Sequence, residues 1–316
     1  MSDGPIYLDH NATTPVDPRV VAAMMPYLTV HFGNPSSDHS YGVAPRRAVA
    51  AARAQVAALI RADPDEVVFT ASGSEADLLA VRGAVLADGR PHPHVITQVT
   101  EHPAVLESCR ALHRLHGGAG HGPGRIPLGV DLLTVVGHKM YAPKGIAALY
   151  VRSGVSLEPV VHGGGQENGL RGGTENTASI VALGAAAHLA AEDLAHGEPD
   201  RWAALRDDLH RQLAEALPGR VHRNGHPTAC LPNTLNISVD GLLGHELLAN
   251  TPEIAASTGS ACHSGARSPS PVLTAMGLPP DRALAALRLS SGRWTTQSDI
   301  DEAAEALCAA ARGRTR

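Results

Sequence analysis

The feature that most constrains this chain is a short apolar run of strand character, Val67-Val68-Phe69, that passes through a turn of small residues, Ala71-Ser72-Gly73-Ser74, into helical text opened by Glu75 and running to about Asp88. Strand, Gly/Ser turn and helix form one α/β unit, and such a unit buries its apolar faces only by joining others on a common sheet. The pattern recurs. His94 to Thr97 is strand-like, and Pro103 suits the first turn of a helix whose Val105, Leu106, Cys109 and Leu112 point inward. Leu132 to Val136 is a buried-type strand, followed by Gly-His-Lys, a turn at Pro143 and a second strand from Ile146 to Val151. Upstream, residues 44–62 form an amphipathic helix that ends before Asp63-Pro64.

Two glycine-dense stretches punctuate the pattern. GGAGHGPGR, residues 117–125, is expected to hold neither strand nor helix, and HGGGQENGLRGGTEN, from His162 to Asn176, leads into a long Ala-rich helix. After about residue 200 a smaller α+β region follows, with a strand at Thr234 to Val239. The expected architecture is a two-part, mostly parallel α/β fold.

Composition narrows the function. With 316 residues, 43% hydrophobic and 18% charged, the chain buries a sizeable core, and a net charge of −5 with 3% aromatic residues is not the signature of a nucleic-acid binder. The opening MSDGPIYLDH does not resemble a secretory leader, and the four cysteines show no ligand spacing, so the reading is cytoplasmic with reduced thiols. The most apolar stretch, Ile180 to Ala191, is too short to span a bilayer, so no membrane role is expected. No metal site is expected, since His113 and His116 lack partners that would complete a ligand set.

Three places can carry chemistry. The turn at Gly73-Ser74 opens a helix and suits an anion, although a serine there that merely caps its helix is the commoner arrangement. Lys139 lies just past a buried strand, where ligand crevices form in open α/β sheets and a desolvated amine becomes a nucleophile. Lys139 and Lys144 are the only lysines in the chain, which weighs against an incidental loop lysine. Cys262 sits in STGSACHSG, a run of small polar residues suited to an accessible loop from which a thiol can react. Cys109 and Cys308 read as core residues, Cys230 is undecided, and His102, Arg288 and Arg293 are polar residues beside apolar runs.

Nine segments in order resemble the cysteine desulfurases of the class-V, pyridoxal-phosphate-dependent aminotransferase family, on the housekeeping and nitrogen-fixation branch. They are YLDHNATTPVDPRV, FGNPSS, EVVFTASGSEADLLAVRG, TEHPAVLESC, GHKMYAPKGIAALYVR, GGGQENGLRGGTENT, PNTLNIS, STGSACHSG and LRLSSGRWTT. The resemblance implies fold type I: a mostly parallel sheet flanked by helices, reduced in this chain, plus a smaller α+β domain. Residues 17–200 would form the large domain, shortened near 117–128, and residues 1–16 with 201–316 the small one. The implied activity is conversion of L-cysteine to L-alanine, with sulfur passed to Cys262 as a persulfide for an acceptor protein such as an iron–sulfur scaffold. The implied cofactor is pyridoxal 5′-phosphate and the implied assembly a homodimer.

By the same resemblance, Lys139 would hold the cofactor and move the substrate's Cα proton, and His102 would stack on the ring. Gly73, Ser74 and His138 would bind the phosphate, joined by Thr174 across a dimer interface. Arg288 with Asn11 would take the substrate carboxylate, for which a guanidinium is a planar fork. Cys262 is also the residue that a transient iron–sulfur contact would use.

The chain departs from the family pattern between His116 and Leu128, where it is several dozen residues shorter. The missing stretch normally carries an Asn-Asn-Glu-Thr-Gly loop and an Asp-Ala-Ala-Gln motif, whose Asp faces the pyridinium nitrogen and whose Gln bonds the ring oxygen. Asp131 matches a different family position. A carboxylate beside a cation shifts a pKa by about 1–3 units, so the expected effect is a carbon-acid step weakened about ten- to a thousandfold. Val136 stands where the family usually has a hydroxyl residue, and Leu78 where it has Asn. The alternatives are an impaired relative acting as a dimerising or sulfur-carrying binding protein, or an internally deleted chain that folds poorly.

Overall fold

The computed structural model describes residues 4–90, 93–116, 120–121, 130–259 and 268–313. These contain strands β1 (Ile6–Tyr7), β2 (Val67–Thr70), β3 (Ile96–Thr97), β4 (Gly120–His121), β5 (Leu132–Val136), β6 (Ala147–Val151), β7 (Val221–Arg223), β8 (Thr234–Val239), β9 (Ile254–Ala255) and β10 (Ala286–Ser290). The chain divides into two compact units, residues 15–192 and residues 1–14 with 193–316.

In the 15–192 unit the sheet order is β2-β6-β5, with Val67 opposite Tyr150 and Val136 opposite Ala147. Successive side chains of a strand point to opposite faces. Val67, Phe69, Val135 and Ala148 therefore pack on one side, with Val49, Ala52 and Val56 of the Ser40–Ile60 helix and Ile180, Leu183 and Ala187 of the Thr177–Ala195 helix. Val68, Leu149 and Val151 pack on the other, with Ala76 and Leu79. Both faces are covered, which is why the strand text is an unbroken apolar run. The two long helices approach closely because Gly184 has no side chain; a Cβ there would sit 2.6 Å from the Ala52 Cα.

Four details differ from the sequence reading. β6 runs against both β2 and β5, so these two are parallel to each other but not hydrogen-bonded; among the described residues the paired parallel strands are β1 with β9 and β3 with β4, two residues each. β4 falls inside the segment expected to hold no strand, since its backbone pairs with β3 whatever the side chains are. The strand expected from His94 shrinks to Ile96–Thr97. The Thr177–Ala195 helix is longer than its apolar stretch suggested and is long and apolar enough, by length and composition, to cross a membrane, yet half of it is buried in the core just described.

The other unit is built on the antiparallel order β10-β8-β7, with Arg288 opposite Asn236. Leu205, Leu209 and Leu213 of the Glu198–Ala216 helix and Ile300, Ala304 and Leu307 of the Gln297–Arg312 helix cover Leu235, Ile237, Leu287 and Leu289 of the sheet. Thr296 and Asp299 cap the last helix reciprocally. Cys308 is buried in this core and Cys109 in the Pro103–His116 helix, and burial pushes both thiols upward.

Candidate active site

The 15–192 unit contains a cavity of about 300 Å³ where β2 and β5 each run out into a turn. Ser72, at the end of the first turn, is the N-cap of the helix that opens at Gly73: its hydroxyl accepts from Glu75 N at 3.1 Å and its carbonyl from Ala76 N at 3.0 Å. The cap is thus Ser72, and Ser74 is left in the first helical turn with its hydroxyl unused for capping. The helical run continues through a π turn at Leu79–Gly83 to Asp88. Glu75 Oε2 accepts from Ala71 N at 3.1 Å and its Oε1 from Arg171 Nε at 2.9 Å, which fastens the turn to the glycine-rich loop.

Beyond β5, Gly137–Lys139 forms a 3₁₀ turn, with Gly137 N donating to Ile146 O at 3.1 Å and Ala142 N to Gly137 O at 3.1 Å. A Cβ at Gly137 would lie 2.8 Å from both the carbonyl oxygen and Cγ2 of Ile146, so only glycine permits this tight turn. It places His138 and exposed Lys139 on the cavity. Burial, followed by the charges of Lys139 and Lys144, holds the His138 imidazole below its ordinary range. His102 lines the same cavity, and its Nδ1 accepts from Ala104 N at 3.1 Å at the head of the Pro103–His116 helix; the neutral ring then carries its proton on Nε2.

Gly73, Ser74, His102, His138 and Lys139, far apart along the chain, therefore share one cavity. Asp77 and Thr134 also line it, and neither was singled out in the sequence reading. Asp77 lies three residues after Ser74 on one helical face, and its Oδ1 accepts from Thr134 Oγ1 of β5 at 2.7 Å. An acid in helical text resembles a solvated face; the i, i+3 spacing from Ser74 was the available signal.

The remaining candidates lie elsewhere. Thr174 is exposed in the glycine-rich loop and does not line this cavity. Arg288 and Asn11 belong to the other unit. There Arg288 Nη2 donates to Asp9 Oδ1 at 2.8 Å, and its Nε is buried without a partner. Asn11 Nδ2 donates to Thr234 Oγ1 at 2.7 Å while its Oδ1 accepts from Asn233 Nδ2 at 3.2 Å. Ser257, three residues before the STGSACHSG loop leaves the described chain, pairs with Arg288 by backbone bonds in both directions. Cys262 itself lies outside the described residues. Arg293 is not a surface residue but a buried partner of Asp193, at 2.6 Å. Cys230 is exposed, with Arg206 Nη1 at 3.3 Å and Arg223 Nη2 at 3.2 Å from its sulfur. Asp131 is exposed and paired with Arg152 at 2.7 Å.

The unit thus defines an α/β protein with a lysine and an imidazole beside a turn that opens a helix. Comparison with known proteins agrees. The Aminotransferase class-V profile matches residues 6–121 and 125–303. A cysteine desulfurase of Trichormus azollae is 40% identical over 371 aligned positions, covering 96% of this chain and 92% of that protein, and the mitochondrial cysteine desulfurase of Drosophila melanogaster is 38% identical over 95% of this chain and 79% of that one. A solved NifS-like protein superposes with a TM-score of 0.86 at 26% identity, covering 96% of this chain and 98% of that one. A structure of SspA in complex with cysteine gives 0.76 at 28%, covering 92% and 99%. The chain belongs to the class-V aminotransferase family, among its cysteine desulfurases. An alignment of 371 positions over 96% of 316 residues means that the relative carries several dozen residues that this chain lacks, and the profile match breaks at 122–124.

The cofactor of this family is pyridoxal 5′-phosphate. The cavity suits its ends. Gly73 and Ser74 line the cavity at the head of a helix, where backbone N–H groups suit a phosphate, and the Lys139 amine is the group a carbonyl carbon requires.

Proposed function

We propose that the chain acts as a cysteine desulfurase, converting L-cysteine to L-alanine while Cys262 takes the sulfur. The Cβ–Sγ bond of the substrate breaks, a sulfur–sulfur bond forms at Cys262, the electron pair of the broken bond stays on carbon, and that carbon takes a proton. Substrate and thiol thereby become alanine and persulfide without an external oxidant or reductant.

The cofactor, when bound, supplies the electron sink for charge that develops at the substrate Cα. The protein's share is placement. Gly73, Ser74 and His138 would hold the phosphate, with Thr174 of a second subunit; His102 would stack on the ring. Lys139 would hold the cofactor by its amine and carry the proton at the substrate Cα. Arg288 and Asn11 would take the substrate carboxylate, the unpartnered Nε of Arg288 being a ready donor for it. The observation that carries the reading is the shared cavity of Lys139, His138, His102 and the Gly73-Ser74 turn.

The absent Asp-Ala-Ala-Gln motif sets a rate penalty of about ten- to a thousandfold unless another carboxylate faces the ring nitrogen. The proposed setting is a cytoplasmic homodimer that hands sulfur to an acceptor protein such as an iron–sulfur scaffold. Purified protein mixed with pyridoxal 5′-phosphate should turn yellow and keep its visible band through dialysis, and Lys139→Ala should lose it. After L-cysteine is added, mass spectrometry should find one extra sulfur on Cys262. A colourless wild-type protein, or sulfur on another residue, sinks the reading.

A further inference from the structure

We propose that Asp77 supplies the acid that faces the pyridine nitrogen of the cofactor, from the helix and not from the stretch this chain lacks. The inference rests on the reading of the cavity as the pyridoxal 5′-phosphate site. Among the described residues that line that cavity, Asp77 is the one carboxylate. Glu75, in the same turn, is bound by Arg171 and by Ala71 N, and Asp131, at the far end of β5, is exposed and paired with Arg152.

Position favours Asp77 further. Ser74 and Asp77 are neighbours on one helical face, with Cβ atoms about 5–6 Å apart. A flat ligand with its phosphate at Ser74 thus carries its ring toward the next turn, where Asp77 stands. Thr134 and Val136 alternate with buried Val135 on β5 and share a face of the strand, and both line the cavity. Thr134 Oγ1 donates to Asp77 Oδ1 at 2.7 Å. This hydrogen bond fixes the carboxylate and leaves Oδ2 to accept from a ring N–H. A carboxylate so held keeps the ring nitrogen protonated, which is the condition for an effective electron sink.

The test uses full-length protein loaded with pyridoxal 5′-phosphate labelled with ¹⁵N in the ring. The nitrogen's chemical shift, followed against pH, reports its protonation directly and does not depend on turnover. In the wild type the nitrogen should stay protonated at pH 8. In Asp77→Asn, a near-isosteric change, its titration should fall by about 1–3 pH units, and Asp77→Glu should recover part of the difference. Thr134→Val, which keeps the acid but releases it, should give a smaller fall, and Asp131→Asn none. A wild-type nitrogen already deprotonated at pH 8, or one that titrates identically in Asp77→Asn, overturns the assignment while leaving the cavity as the cofactor site. If the wild type holds no labelled cofactor, the cavity reading fails and the assignment with it. Because the wild-type spectrum alone can refute the idea, an Asp77 variant that does not fold cannot shelter it.

Discussion

Arg53 grips Glu167 with both arms of its guanidinium: Nη1 donates to Oε2 and Nη2 to Oε1, each at 2.8 Å. The same Oε2 accepts from Phe69 N at 2.9 Å, Arg53 also donates to the Val67 carbonyl, and its guanidinium lies 4.7 Å from the Phe69 ring centroid. The fork pins the glycine-rich loop to the long helix and to β2, the strand that feeds the Gly73 turn. Glu167 is 3% exposed in its side chain, so removing its partner strands a buried charge. Arg53→Ala should destabilise the protein by about 3–5 kcal/mol. Arg53→Lys should recover little, because an ammonium cannot fork, and the apolar pair Arg53→Met with Glu167→Leu should cost less than either single change. Urea unfolding measures each of these variants; a loss below about 1 kcal/mol for Arg53→Ala, the range of exposed pairs, would show that the fork is ornamental.

This contact also marks where sequence reading stops. The two-faced burial of β2 was legible because Val67, Val68 and Phe69 form an unbroken apolar run, and Cys109 and Cys308 were legible as core because they lie among Ala and Leu. The fork was not: its partners are 114 residues apart, and a lone Arg and a lone Glu on polar stretches read as solvated. Asp77 was missed for the same reason, its meaning set by Thr134 on another strand. The cap at Ser72 in place of Ser74 turned on a backbone angle, since Ser72 is extended and Ser74 helical, and hydroxyl spacing does not encode that. The reversed direction of β6 was not legible, because short apolar runs carry no sign of which way a neighbour runs.

Gly73 and Val136 share space that holds only one of two side chains. A Cβ at Gly73 would stand 2.7 Å from Val136 Cγ2, and a β-branched valine has little freedom to turn aside. Gly73→Ala should therefore destabilise by about 1–3 kcal/mol through overpacking, against which helix propensity in the first turn returns less than about 1 kcal/mol. In a Val136→Ala background the same change should be neutral or better. A double-mutant cycle in thermal or urea unfolding checks this, with a coupling of about 0.5–3 kcal/mol expected; simple additivity would mean that the turn relaxes freely.

His10 makes one unit of the protein sensitive to mild acid. It is 8% exposed, its Nδ1 lies 3.0 Å from the Ser290 carbonyl, and burial holds it below its ordinary value despite the opposing pull of that carbonyl and of Asp9. The folded state therefore prefers the neutral ring, while the unfolded chain takes up its proton near pH 6.5. Between the folded and unfolded values the unfolded state binds more protons, so stability must fall as pH drops through about 6.5 and level off below the folded value. Chemical unfolding from pH 8 to pH 5 should show this slope, and His10→Gln should flatten it. An unchanged slope in the variant would assign the acid sensitivity to other groups.

His138 gives the phosphate end of the cavity a signature that needs no turnover. Burial and the two lysines depress its imidazole; an anion placed beside it favours the imidazolium and opposes all three. By linkage, a ligand that binds the protonated ring more tightly must raise that ring's pKa, by the same factor as protonation raises the ligand's affinity. Sulfate suits the measurement because it keeps its charge across the range. NMR titration of the His138 ring should show its pKa moving up as sulfate is added, and sulfate affinity should rise as pH falls through that value. His138→Gln should keep weaker binding without the pH dependence. If the Ser74 amide responds to sulfate while the His138 titration stays fixed, the imidazole does not face the anion, and the phosphate contacts of this cavity belong to the Gly73-Ser74 turn.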